Sequence, residues 1–169
     1  MATIKIEPLT SNGFAPYGRV LDFDSSNPTK SGEGWTCYSP VDFLQPTSPM
    51  LGIGMVISEK YPKEVTALER HVSREELLWA AREDLVMFVD IPYKLGSESQ
   101  KPNIYTTKAF LIKAGQAVIM HRGTWHSPAF ALEGTATYYF AIEFTKDFID
   151  QDEQPWIPFN ENEVAVLVE

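Results

Sequence analysis

Cysteine and positive charge are scarce in this chain, and each scarcity excludes a class of function. The 169 residues include one cysteine, Cys37, so an intrachain disulfide cannot form. Lys and Arg number 14 against 23 Asp and Glu, which gives a net charge of −9. Nucleic acids and anionic membranes are bound by clustered Lys and Arg, so we expect neither as a partner. An apolar run of about 18 residues and a signal-peptide-like start are also lacking, so we expect a cytoplasmic protein.

Short strand-like runs separated by turn residues make up most of the chain. They cover 4–6, 19–23, 51–58, 64–71, 77–81, 85–91, 105–113, 116–120, 136–144 and 163–168. One helical turn is expected within 10–17, where Thr10 or Ser11 can cap it. The stretch 24–49 is rich in Ser, Pro and Gly and is expected to be irregular, with its aromatics packed down. The pattern predicts a single all-β domain over 1–169, an antiparallel sandwich or barrel with a few short helices.

Histidine is also rare, and the three histidines all lie between residues 71 and 126. His71 ends a strand-like run, and two glutamates, Glu75 and Glu76, follow it. The other two, His121 and His126, belong to one run, His-Arg-Gly-Thr-Trp-His-Ser-Pro at 121–128. Core packing does not require such grouping, so the pattern indicates a small polar site.

The first part of this site is predicted on the strand that ends at His71. Successive side chains of a strand face opposite ways, so Glu69 and His71 share one face. An imidazole and a carboxylate on one face can bind the same metal ion. Glu76 follows His71 closely enough for a tight turn to bring its side chain back toward His71. Glu75 could occupy the same inward position instead. The alternative is that these groups are solvated or packed without a metal.

The second part of the site is predicted around the later histidines. Gly115 permits a sharp strand entry, and Gly123 permits a positive φ that would let His126 aim inward. Further along, Tyr139 and Glu143 share a strand face on which polar groups can line a pocket, although a solvated outer face explains them as well.

The spacing of these residues resembles the two sequence motifs of the cupins. Gly115, Gly123 and His126 match the second motif, G-x5-P-x-G-x2-H-x3-N, with His121 and Phe130 at its proline and asparagine positions. His71 and Glu76 match the first motif, H-x-H-x(3,4)-E, with Glu69 at the place of its first histidine. The resemblance implies a metal shell of Glu69, His71, Glu76 and His126.

Three segments resemble the ureidoglycolate lyase family more closely. They are Glu-Pro-Leu-Thr and Phe-Ala-Pro-Tyr-Gly within 7–18, Leu-Glu-Arg-His at 68–71, and the block formed by 109–110, 115–118 and 121–128. The resemblance implies a cupin-like double-stranded β-helix (jelly-roll barrel), usually a homodimer. It also implies cleavage of ureidoglycolate to glyoxylate and urea in allantoin and purine breakdown. A divalent metal such as nickel would assist, with zinc, manganese and iron as alternatives.

The chain departs from that family at several positions. After Leu-Glu-Arg-His the family continues Pro-Leu-Gly-x-Gln, whereas this chain has Val-Ser-Arg-Glu-Glu at 72–76. Where the family carries an arginine on the strand that corresponds to 51–57, this chain has Met55 near that position. Where the family has a Val-Asp-Arg-type strand end, this chain has Ala-Ile-Glu-Phe at 141–144. Lost arginines would weaken binding of a substrate carboxylate, because bidentate Arg pairing is a strong anchor.

Our functional hypothesis is a metal-assisted lyase acting on ureidoglycolate or a related small 2-hydroxy acid. Arg122 is expected to pair with the substrate carboxylate, and Tyr139 and Glu143 are expected to line the substrate pocket. His121 is expected to transfer the hydroxyl proton. Two alternatives remain. One is another cupin-type metalloenzyme, such as a sugar or sugar-acid isomerase or a dioxygenase. The other is a non-catalytic barrel that binds a small ligand.

Overall fold

The computed structural model describes residues 1–21, 23, 27–46, 50–92, 101–143 and 153–168. In chain order its elements are β1 (Ala2–Pro8), α1 (Ser11–Phe14), β2 (Gly18–Leu21), β3 (Lys30–Gly32), β4 (Trp35–Cys37), β5 (Leu51–Glu59), β6 (Glu64–Val65), β7 (Ala67–His71), β8 (Glu76–Ala80), β9 (Leu85–Asp90), β10 (Lys108–Ile112), β11 (Ala117–Met120), β12 (Trp125–His126), β13 (Phe130–Ala131), β14 (Thr135–Glu143), β15 (Glu153–Pro158) and β16 (Ala165–Val168).

Two main sheets enclose the core within these residues. The larger has nine strands in the order β15-β7-β12-β9-β10-β1-β16-β6, with β13 also paired to β9. The smaller has five strands in the order β2-β11-β8-β14-β5. Buried side chains of β9 and β10 meet those of β8, β11 and β14 in one apolar cluster, so the core lies between the sheets. The predicted all-β jelly-roll barrel is confirmed.

The strand β9 shows how the sequence produces this arrangement. Its six residues, Leu-Val-Met-Phe-Val-Asp, are all buried. Leu85, Met87 and Val89 face the core between the sheets, whereas Val86 and Phe88 join a second apolar cluster on the other face. A strand covered on both faces needs a continuous apolar run, not an alternating one. Because β12 pairs with β9, this buried strand gives the histidine of β12 a rigid support.

The strand runs expected from the sequence correspond to observed strands, apart from residues 22 and 144, which lie outside the described residues. The helical turn is also confirmed: Gly13 N donates to Thr10 Oγ1 at 3.1 Å, and Phe14 is fully buried. The stretch 24–49 contains the small hairpin β3–β4, which we did not predict. Its residues 24–26 and 47–49 also lie outside the described part. In the described chain, no helix is long and apolar enough to cross a membrane.

The predicted antiparallel arrangement was wrong for β1. This strand pairs in parallel with β10 on one side and with β16 on the other. All three strands are apolar on the buried face, and strand direction has no signature in a pattern of period two. The short strands β12, β13 and β15 were also missed. The first two have two residues each, too few for alternation to show.

Candidate metal centre

Three side chains from three strands meet at one point inside the barrel. His71 Nε2 and His126 Nε2 each lie 3.3 Å from Glu76 Oε2. One ligand atom from each residue lies within 4.8 Å of the others. We call this group the His–Glu–His triad (His71, Glu76, His126). Of the four residues predicted to form a metal shell, these three converge, and their binding of a metal stays a prediction.

Strand pairing explains why residues 50 positions apart converge. His126 of β12 pairs with both Glu69 of β7 and Val89 of β9. Glu76 opens β8, where it shares the inner face with the core residue Leu78. Glu69 Oε1 lies 3.9 Å from His126 Nε2, and the Glu69 side chain is 26% exposed. Glu69 therefore stands at the more exposed side of the triad, next to His126 and outside the group of three.

The turn before β12 sets the orientation of His126. Gly123 has φ +78°, the left-handed conformation predicted for it. Its N–H donates to the His71 carbonyl at 2.8 Å, which fastens the turn to β7. His126 Nδ1 lies 2.9 Å from the Thr124 carbonyl oxygen. Because a carbonyl can only accept, Nδ1 carries the proton, and Nε2 is the nitrogen presented to Glu76.

Buried opposite charges dominate the electrostatics of the triad. Burial opposes ionisation of Glu76, but its contacts with His126 and His71 outweigh burial and lower its pKa to about 2. Burial also opposes protonation of His126, yet the neighbouring Glu76 raises the pKa of that imidazole above its ordinary value. Without a metal, Glu76 and His126 therefore each favour the charged form of the other. A divalent cation would replace the proton.

The spacing of the triad is compatible with a metal ion. Ligand atoms about 2.1 Å from a common ion at angles of 90–110° stand roughly 3.0–3.4 Å apart. The two 3.3 Å separations fall in that range. Glu76 Oε2 is buried and makes no well-aligned hydrogen bond in the part of the chain that is described. Two imidazoles with a carboxylate suit nickel, zinc, iron or manganese.

The two residues predicted to act on the substrate lie at the turn between β11 and β12. His121 lies near Glu75. Burial opposes ionisation of Glu75, but hydrogen bonds from Arg19 and Gln45 lower the pKa of that carboxyl, and the charge of His121 contributes in the same direction. Arg122 is half-buried and donates from Nη2 to the Gln45 carbonyl. Both residues thus border the segment 42–46, and their roles in catalysis stay predictions.

The residues predicted to line the pocket on β14 face away from the triad. Tyr139 is 42% exposed and packs near Trp79, with 6.3 Å between ring centroids. Glu143 is 2% exposed and lies beside Gln45 and Glu75, and its backbone carbonyl accepts a hydrogen bond from buried Arg74. The inner face belongs instead to Tyr138, a buried residue that we missed. Burial, then the charges of Glu76 and Glu69, raise the pKa of its hydroxyl.

Comparison with known proteins agrees with the sequence motifs. The family model described as ureidoglycolate lyase matches residues 1–158. The chain belongs to the ureidoglycolate lyase family. A relative named ureidoglycolate lyase from Pseudomonas syringae pv. tomato is 31% identical over 139 residues, 79% of this chain and 78% of the relative. Another, from Pseudomonas paraeruginosa, is 32% identical over 79% of each chain. The predicted family is confirmed.

Solved structures were also compared. The 3,5-epimerase RmlC from Legionella pneumophila, in complex with dTDP-4-keto-L-rhamnose, aligns with 64% of this chain and 55% of its own, at TM-score 0.44 and 11% identity. RmlC from Streptococcus suis, in complex with dTDP-D-xylose, aligns with 56% of this chain and 44% of its own, at TM-score 0.41 and 14% identity.

Proposed function

We propose that this chain cleaves ureidoglycolate to glyoxylate and urea, assisted by a divalent cation held by the His–Glu–His triad and Glu69. The convergence of the triad, buried in a member of the ureidoglycolate lyase family, carries the proposal. A bound cation would also offset the negative charge that the substrate and the site bring together. The substrate is an anion, the protein carries −9, and the site holds the carboxylates of Glu69 and Glu76.

In this proposal the protein orients the substrate and moves one proton. A bound cation supplies Lewis acidity at the carbinol and offsets the charge of the substrate carboxylate. The carbinol O–H proton leaves as the C=O of glyoxylate forms, the C–N bond breaks, and the urea nitrogen gains a proton. His121 transfers that proton and Arg122 pairs the carboxylate. The buried Tyr138 hydroxyl, which faces the triad, is the competing proton donor.

Metal content is the direct test of the proposed site. Elemental analysis of purified protein should find about one divalent ion per chain in the parent. His71→Ala and His126→Ala should each lose it, because each removes a ligand atom. Tyr105→Phe, altered at an exposed residue, serves as the control and should retain the ion. Equal metal content in all four proteins would reject the site.

Activity measurements separate the two proton-transfer candidates. Removal of a general acid–base group lowers turnover by roughly 10²-fold or more. If His121 transfers the proton, the turnover of His121→Ala falls by that factor and the turnover of Tyr138→Phe stays near that of the parent. The reverse result assigns the proton to Tyr138. If the parent protein loaded with metal does not turn over ureidoglycolate, the proposed lyase activity is rejected.

We also propose that the protein is a homodimer joined through the outer face of the five-stranded sheet. Large apolar side chains are exposed on this face, including Ile53 at 85%, Ile57 at 67% and Met55 at 59%. The large exposed apolar residues of this face, which we call the β5 face, are Leu51, Ile53, Met55, Ile57, Trp79 and Tyr139. None of these six side chains is charged, so two copies of a chain of net charge −9 can bring them together without burying a charge from this group.

The area of the β5 face supports a second copy as its partner. Its six side chains expose on the order of 600 Å² together, near the roughly 800 Å² per partner of a standard interface. Among the described strands, β5 is also an edge, paired with β14 alone, and such edges recruit further strands. The oligomer is expected to have two-fold symmetry, the commonest arrangement.

Sedimentation tests the dimer. The parent should have about twice the chain mass of 19.1 kDa. Ile53→Glu should be monomeric, because a charge would be buried in an apolar interface. Tyr105→Glu, at an equally exposed apolar residue away from this face, should stay dimeric. A monomeric parent would reject the dimer, and a dimeric Ile53→Glu would reject the β5 face.

A further inference from the structure

The stretch that delivers Glu76 to the site has an unusual ambiguity. It reads Glu75-Glu76-Leu77-Leu78, so if β8 turned its other face inward, the first two inward residues would still be a glutamate and a leucine. A one-residue slip in a strand exchanges its two faces. The Glu-Glu-Leu-Leu run therefore does not by itself decide which glutamate enters the barrel. The fully buried Ala80 and the pairing of β8 with β11 and β14 favour Glu76 inside, and a contact on the outer face holds Glu75 there.

Arg19 of β2 makes that contact on the outer face. Its Nη1 lies 2.8 Å from Glu75 Oε1, and its Nη2 lies 3.3 Å from Oε2. Arg19 pairs with Ile119 of β11, and Ile119 pairs with Leu77 of β8. These residues form one row across the sheet, and Glu75 lies two residues before Leu77 on the same face, within reach of the Arg19 side chain. The Glu75 side chain is 8% exposed although it faces outward.

The segment 42–46 closes over the same ion pair. Arg19 Nε donates to Asp42 Oδ2 at 2.9 Å, and its Nη2 donates to the Phe43 carbonyl at 2.9 Å. The Gln45 N–H donates to Glu75 Oε2 at 3.0 Å. Glu75 therefore has both oxygens engaged, and Arg19 has all its nitrogens engaged. Such a saturated, largely dehydrated group holds its position more firmly than an exposed ion pair.

We propose that Arg19 is a positioning residue for Glu76: it holds Glu75 on the outer face and thereby aims Glu76 at His71 and His126. The inference rests on the proposed metal site for its functional meaning, but the geometry it describes exists without metal. It also explains the chain's combination of Arg19 with two consecutive glutamates. One glutamate is a ligand, and the other is neutralised so that it does not compete for the ion.

The test compares Arg19→Met with Arg82→Met, which removes an exposed arginine after the end of β8. Loss of a residue that orients a metal ligand typically weakens metal affinity by about 10–100-fold. We expect that loss in Arg19→Met, measured by competition with a chelator of known affinity, and none in Arg82→Met. Glu75→Gln keeps the side-chain shape and should weaken binding in the same direction. If Arg19→Met does not fold, the metal affinity of Glu75→Gln provides the test instead.

A crystal structure of metal-free Arg19→Met provides a readout that does not depend on metal. We expect Glu76 Oε2 to leave its position 3.3 Å from both imidazole nitrogens. Unchanged Glu76 geometry in that variant, or unchanged metal affinity in both Arg19→Met and Glu75→Gln, would overturn the inference. A parent protein that binds no metal would instead reject the proposed function, and the crystal structure would still decide the role of Arg19.

Discussion

Replacement of Glu76 by glutamine tests the electrostatics of the triad without changing its shape. In the metal-free protein, the ionised carboxylate is stabilised by the imidazolium of His126 and by His71. The pKa of Glu76 falls from 4.5 to about 2. One pKa unit corresponds to 1.36 kcal/mol, so ionised Glu76 contributes roughly 3 kcal/mol to stability relative to its neutral form. A glutamine side chain resembles the neutral form, so the Glu76→Gln variant should lack this contribution.

The pH dependence of this difference follows from the direction of each shift. The lowered pKa of Glu76 gives stability that is present above its ordinary value of 4.5 and is lost as the pH falls toward 2. The raised pKa of His126 gives stability that is complete below its ordinary value of 6.5 and is lost as the pH rises through the folded value. The difference should therefore be greatest between 4.5 and 6.5.

Urea unfolding in the presence of a chelator measures the effect. With a slope near 2 kcal/mol per molar, about 3 kcal/mol lowers the midpoint of Glu76→Gln by roughly 1.5 M near pH 6. Glu133→Gln is the control, because its ion pair with Lys60 is exposed, and it should cost about 0.5 kcal/mol or less. Equal midpoints of parent and Glu76→Gln near pH 6, or a difference that grows toward about pH 9, would refute the reasoning.

Three further predictions concern the same site. Gly123→Ala should destabilise the protein by about 1 kcal/mol and weaken metal binding, because φ +78° strains alanine; unchanged calorimetric Tm and metal affinity would contradict this. Metal affinity should fall as the pH drops below the raised pKa of His126, because protons compete for Nε2; a flat calorimetric pH profile would exclude His126 as a ligand. Tyr139→Phe should keep the turnover of the parent, since its hydroxyl lies on the exposed face of β14, opposite the triad; a clear loss of turnover in this variant would contradict that orientation.

The positions of the inward residues show where sequence reasoning was sufficient. His71 and His126 were identified from their spacing and from Gly123, because a left-handed turn has a recognisable residue type. On β14 the same reasoning selected Tyr139, although Tyr138 is the tyrosine that faces the triad. Two adjacent tyrosines are equivalent to any rule of period two. The face is decided by pairing with β8 and β5, which the local residues do not specify.

Residue type and spacing alone determined most of the longer strands, the helical turn within 10–17, the family, and which imidazoles and carboxylates were available for a metal. Tertiary contacts decided the parallel pairing of β1, the inward choice of Glu76 over Glu75, and the exposure of the β5 face. The reason is physical. Alternation along a strand specifies two faces but does not say which of them is inside, and that assignment needs partners that are distant in sequence.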